Sequence, residues 1–213
     1  MNLTLLLALL ISYLLGSVPF SQLVAYLAKG VDLCKVGTRN VGGNNLIQNA
    51  GPGWGVLGGG LDVLKGAAAM WIAQGLGIPY PVWFAAGVAV VAGHNWSIFL
   101  GFRGGKGLAT GAGAIAFVAP PETIACMAIW ALINWRTRNA TNATIAGFGT
   151  LGILFLFEDR PLEFFLLGFG VVGLIYIASA RDLAQEARSR GDWKNVLSSH
   201  KAETENRVKA KTR

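Results

Sequence analysis

Acid–base and metal chemistry have few places to reside in this sequence. Its 213 residues include two cysteines and two histidines. Neither Cys34 nor Cys126 has a His or Cys neighbour at ligand spacing, so no metal site is expected. His94 meets Phe99 where an acid would complete a His-x4-acid pair, and His200, which does have Glu205 at that spacing, sits in a polar tail. No G-x-S-x-G elbow occurs. Lys106 is followed by Gly107 rather than by the Ser or Thr of a Walker A loop. Charge is scarce as well: 14% of residues are charged against 53% hydrophobic, which excludes an ordinary soluble domain.

What is present is apolar and long. Against the ~20 residues needed to cross a bilayer, the apolar runs read as about seven helical spans. These are Leu3 to Ala28, Gly53 to Leu76, Pro81 to Gly93, Leu108 to Ala119, Glu122 to Trp135, Ala143 to Phe157, and Leu162 to Ser179. The expected fold class is therefore all-α and integral to a membrane. The first run lacks a basic leading region and exceeds a signal peptide's apolar length, so it reads as a retained helix.

The basic residues alternate between loops. Lys29, Lys35 and Arg39 follow the first run, Arg103 and Lys106 the third, Arg136 and Arg138 the fifth, and a basic tail the seventh. The intervening loops carry Glu122, then Glu158, Asp159, Arg160 and Glu163, or no charge at all. The positive-inside rule then puts the N-terminus outside and the C-terminus in the cytoplasm, which needs an odd number of spans. It also places Cys34 and Cys126 near opposite faces, so no disulfide is expected. The net charge of +7 points to anionic lipid or substrate rather than nucleic acid. Residues 1–180 read as one membrane domain and 181–213 as a basic cytoplasmic tail, a short surface helix followed by disorder. No internal repeat is visible, which argues against a transporter built from inverted repeats.

The three basic loops are the ones rich in small and hydrogen-bonding residues, so that face is expected to hold the site. In Gly93 to Gly113, GHNWSIFLGFRGGKGLATGAG, glycines let backbone N–H groups converge on an anion where Lys106 adds positive charge. The plainer alternative is a flexible basic turn that serves topology alone. In Asp32 to Gly51, DLCKVGTRNVGGNNLIQNAG, Thr38, Asn40, Asn44 and Asn45 offer hydrogen bonds, and Arg39 adds a guanidinium suited to two phosphate oxygens. An Asn/Gly turn cluster that satisfies its own backbone explains the same residues. Asn134 to Gly147 carries Thr137, Thr141 and Thr144, which also read as helix caps. Asp62 and Lys65, three apart inside the second span, form an intramembrane ion pair that needs shelter and whose role reads as structural.

These segments, with GSVPF at Gly16 to Phe20, VGTRNVGGNN at Val36 to Asn45 and LDVLKG at Leu61 to Gly66, resemble the bacterial acyl-phosphate:glycerol-3-phosphate acyltransferase family over roughly the first 180 residues. The resemblance implies a compact seven-helix inner-membrane enzyme whose active face is cytoplasmic. It would transfer a fatty acyl group from acyl phosphate to glycerol 3-phosphate, forming lysophosphatidic acid, as a monomer without a cofactor. Carried over residue by residue, Lys106, with Gly104, Gly105 and Gly107, binds the acyl-phosphate end. His94 and Asn95 line that pocket, and Thr38, Arg39, Asn40, Gly42 and Asn45 complete the phosphate cradle. Thr141 stands where the family's third motif has serine, and Arg181 stands in the segment after the last span. Lys106, Thr141 and Thr38 are the candidate catalytic residues.

The chain departs from the family pattern at identifiable places. Where the first motif is usually G-S-G-N-x-G-A-T-N, Arg39 replaces a glycine, Gly43 an alanine and Asn44 a threonine, and Gln48 stands where an arginine is expected. Where the family has H-R-E-N, this chain has Ala180, Arg181, Asp182 and Leu183. Two alternatives follow: a paralogue that acylates another acceptor or only hydrolyses acyl phosphate, and a non-enzymatic membrane subunit or small-anion transporter.

Overall fold

A computed structural model describes residues 3–137, 140–158 and 161–190. All regular structure among them is helical: α1 (Leu3–Ser17), α2 (Phe20–Lys29), α3 (Gly43–Ala50), α4 (Pro52–Gly75), α5 (Tyr80–Asn95), α6 (Leu108–Val118), α7 (Pro120–Thr137), α8 (Ala140–Phe157) and α9 (Leu162–Arg190), with a 3-10 turn at Ile98–Leu100. Every expected apolar run is helical. Leu3–Lys29, Pro52–Gly75 and Leu162–Arg181 are long and apolar enough to cross a membrane, and Val82–Asn95, Leu108–Val118 and Ala146–Phe157 are shorter apolar helices.

Three features differ from the sequence expectation. The first run is not one continuous helix: Pro19, which has no N–H to give the preceding turn, separates α1 from α2. The carbonyls of Gly16 and Val18, exposed by that break, each accept a hydrogen bond of 2.9 Å from Lys65 Nζ of α4. The asparagine-rich loop, whose Asn and Gly content suggests a turn cluster, contains the eight-residue α3. Finally, α9 runs without a break through Arg181 to Arg190. The rest of the expected 181–213 tail, residues 191–213, and Arg138 lie outside the described residues.

Small residues set how closely the helices approach, as packing rather than water exclusion must hold helices together in lipid. A Cβ on Gly16 would overlap the Val90 carbonyl, and one on Gly93 the Tyr13 carbonyl, so α1 and α5 touch backbone to backbone. The same relation joins α4 and α6 at Gly66 against Thr110 and at Gly113 against Val63. Around these contacts Met70, Val90, Ile115, Phe155, Leu167 and Val171 form the buried core of α4 to α9. A smaller cluster of Val24, Ala25, Leu33 and Leu46 lies under the first loop. Large apolar side chains such as Leu27, Val56, Trp71, Ile124 and Phe157 are exposed, as lipid-facing positions require.

Candidate phosphate-binding site

The site is built where the α1–α2 break, the 30–51 loop and the 96–107 loop meet. The 96–107 loop is ordered by its own backbone. Ser97 N donates to Arg103 O at 3.2 Å, Phe102 N donates to Ser97 O at 2.8 Å, and Gly105 N returns to His94 O at 3.0 Å. The loop is tied to its neighbours by Ser97 Oγ, which donates to Ser17 O, and by Tyr13 Oη, which donates to Trp96 O at 2.7 Å. It meets the first loop where Val41 N approaches Gly104 O at 3.4 Å. The two loops expected to cooperate are thus in contact.

Glycine is required here by space. A Cβ on Gly104 would overlap the His94 carbonyl, one on Gly105 would overlap His94 Nε2, and Gly107 sits at φ +83° beside the Asn95 amide. Gly107 is also the N-cap of α6 and brings no side chain to cap it. The first-turn N–H groups of α6 therefore open immediately beyond Lys106, a combination of dipoles and charge that favours an anion. Lys106 is half-buried and has no hydrogen bond or ion pair within the described residues. Gly42 likewise begins α3 without a side-chain cap, beside exposed Thr38 and Arg39. Arg39 holds a left-handed backbone, φ 56°, a conformation that suits the glycine expected there and strains an arginine.

Asn45 has a different place from the one expected. It is buried, its Nδ2 lies within 3.0–3.2 Å of the carbonyls of Leu33, Val36 and Asn40, and its Oδ1 accepts from Thr38 N and Asn49 Nδ2. Its polar atoms hold the loop's shape and are not turned outward to a ligand. Asn95 is also buried, donating to Leu174 O at 3.0 Å, and so pins α5 to α9. Arg181 donates to Phe102 O at 3.1 Å, which ties the C-terminal half of α9 to the second loop. Thr141 lies in the first turn of α8, and its side chain lies outside the described residues. At the rim, a hydrogen bond from Lys35 holds the Asp32 carboxyl below its ordinary range, while burial raises the nearby Cys34 thiol.

Beneath the loops lies a buried charge cluster that the motif reading assigned only as a helix pair. Lys65 Nζ is 2.9 Å from Asp62 Oδ1, Ser21 Oγ donates to Asp62 Oδ2 at 2.8 Å, and His94 Nδ1 faces Asp62 Oδ1 at 3.5 Å. Asp62 and Lys65 are 1% and 2% exposed. His94 therefore has an acidic partner, which no local spacing could reveal because 32 positions separate the two. Lys65, His94, Gly104, Val41, Ser17 and Pro19 are among the residues that line a crevice too narrow for a water molecule. Lys106 and Arg39 lie outside it.

Comparison with known proteins supplies the chemistry. The glycerol-3-phosphate acyltransferase family pattern matches residues 6–187. Glycerol-3-phosphate acyltransferase 1 of Deinococcus radiodurans is 41% identical over 161 residues, covering 76% of this chain and 81% of its own. The glycerol-3-phosphate acyltransferase of Rubrobacter xylanophilus is 40% identical over 164 residues, covering 77% and 81%. Among solved structures, PlsY, an integral membrane glycerol 3-phosphate acyltransferase crystallised in its glycerol 3-phosphate form, superposes with a TM-score of 0.77 at 32% identity, covering 87% of this chain and 93% of that one. Its lysophosphatidic acid form superposes with a TM-score of 0.76.

Proposed function

The chain belongs to the glycerol-3-phosphate acyltransferase family, and on that premise we propose that the 96–107 loop clamps the phosphate of an acyl phosphate while the first loop receives the acceptor. The protein is an integral membrane acyltransferase of phospholipid synthesis that forms lysophosphatidic acid from glycerol 3-phosphate. One observation carries the donor assignment: Lys106, without a partner among the described residues, stands beside the uncapped N-terminus of α6 on a glycine backbone that has no room for side chains.

An acyl phosphate is a mixed anhydride and needs no further activation. The acceptor hydroxyl oxygen attacks the acyl carbonyl carbon, the carbonyl carbon–phosphate oxygen bond breaks, and the departing phosphate carries away the hydroxyl proton. The protein has to hold two phosphates and align the hydroxyl, work that positioning and fixed positive charge can perform without a separate base. Lys106, Gly104, Gly105 and Gly107 serve the donor. Thr38, Arg39, Asn40 and Gly42 serve the acceptor, with Arg181 at the same mouth and Thr141 as a hydroxyl from α8. Here His94, Asn95 and Asn45 support the site from behind.

The topology that fits this chemistry has seven crossings, counting α1 and α2 as one broken span, with the N-terminus outside and the loops and C-terminus in the cytoplasm. The 1–180 domain lies in the inner membrane as a monomer, with the basic 181–213 segment on its cytoplasmic side. Alternating loop charge supports that orientation.

Purified protein given palmitoyl phosphate is expected to make lysophosphatidic acid only when glycerol 3-phosphate is also present. Lys106→Ala should lower kcat/KM at least about tenfold, or about 1.4 kcal/mol of transition-state stabilisation. Acceptor-independent phosphate release would instead show a hydrolase, and anion flux in liposomes without product would show a transporter.

A further inference from the structure

We infer that His94 is a positioning residue for acyl transfer: its ring, braced by the buried Asp62–Lys65 pair, fixes the Gly104–Gly105 backbone and so the point from which Lys106 extends. This assignment rests on the reading of Lys106 as the donor-phosphate clamp.

Two glycines in succession have no side chains with which to anchor themselves and are the residues with most backbone freedom to lose. Their position must be imposed from outside. His94 does so twice. Its carbonyl accepts Gly105 N–H at 3.0 Å and fills the space that a Cβ on Gly104 would need, while its Nε2 lies where a Cβ on Gly105 would be. Val41 closes the other side through Gly104 O and through its own carbonyl, which would lie 2.8 Å from a Cβ on Gly105.

The ring itself is held from below. Its Nδ1 faces Asp62 Oδ1, and Asp62 is fixed in turn by Lys65 and Ser21. Lys65 reaches on to the Gly16 and Val18 carbonyls at the helix break. Four helices, α1, α2, α4 and α5, are therefore joined at one polar node directly under the lysine loop. His94 is 7% exposed and lines a narrow crevice, so the pH profile is what separates positioning from proton transfer. A charge cluster buried solely for stability would not need an imidazole edge laid against the loop.

The test uses the full-length detergent-purified protein with His94→Ala and His94→Gln, read by steady-state kinetics and by hydrogen exchange of residues 101–108. His94→Ala is expected to lower kcat/KM for palmitoyl phosphate about tenfold or more, mainly through KM, and to speed exchange at 104–107 more than in α4 or α5. His94→Gln, which returns an amide to the place of Nε2, should recover at least about a third of wild-type kcat/KM with an unchanged pH profile. A glutamine variant as impaired as alanine, with one limb of the pH profile lost, overturns the assignment in favour of proton transfer. Exchange rising equally through α4 and α5 overturns it in favour of a purely structural role. Unchanged exchange at 104–107 with kcat/KM within about twofold overturns it outright. If the wild type turns over no palmitoyl phosphate, the donor reading fails, while the exchange pattern still decides whether His94 positions the loop.

Discussion

Replacing Asp62 by Asn and Lys65 by Met, singly and together, asks how much the buried node matters to the fold. The two charges are 2.9 Å apart and at most 2% exposed, so neither is screened by water. Asp62→Asn keeps the shape but leaves the Lys65 ammonium with only carbonyl partners, a cost of about 3–5 kcal/mol for breaking a buried pair from one side. Lys65→Met leaves the Asp62 carboxylate with Ser21 and His94 and removes the donor shared by the Gly16 and Val18 carbonyls, again about 3–5 kcal/mol. Independent effects would sum to about 6–10 kcal/mol. The double variant holds no unpaired charge, and its remaining penalty is two carbonyls without that donor, about 1–3 kcal/mol each. It should therefore be less damaged than the sum by about 4 kcal/mol, with the polar node replaced by a methionine under the helix break. Reversible unfolding of the four proteins in mixed micelles measures the cycle. Additivity within about 0.5 kcal/mol would refute the reasoning, because it would mean the two side chains do not act as a pair.

Arg39→Gly separates strain from function at one position: glycine relieves a left-handed cost of about 1–2 kcal/mol while adding about 0.5–1 kcal/mol of chain entropy, so stability should be unchanged or slightly higher. The same change removes the charge proposed to meet the acceptor phosphate, so KM for glycerol 3-phosphate should rise, and an unchanged KM would remove Arg39 from the acceptor site. Gly113→Ala in α6 drives a Cβ into the Val63 carbonyl and should lower the unfolding midpoint through a loss of about 1–3 kcal/mol, whereas Gly59→Ala in α4, with open space beside it, should be tolerated.

The apolar runs were legible because a membrane helix has to satisfy its backbone internally, which leaves length and hydropathy as the main variables. In loop 93–113 the sequence shows two glycines, a lysine and another glycine ahead of an apolar run, a pattern that suits an anion and also a basic turn. The helix break at Pro19 was not recognised because the apolar character continues across it, and α3 was hidden by Asn and Gly, which favour turns when no tertiary contact holds them. Asn45 shows the limit most clearly. Its type suits a ligand contact and a loop strut equally, and only burial with three carbonyls around one amide distinguishes them.

From its residues alone this protein could be placed in a membrane as an all-helical chain of the acyltransferase family, because hydropathy and motif glycines are properties carried by the chain itself. The partnership of His94 with Asp62, the capture of the broken helix by Lys65, the contact of Val41 with Gly104 and the reach of Arg181 to Phe102 belong to the folded molecule. Each joins positions dozens of residues apart. Such pairs follow no local period; they exist because close helix packing at glycines brings the ends of α1 and α5 against the middle of α4 and the C-terminal half of α9.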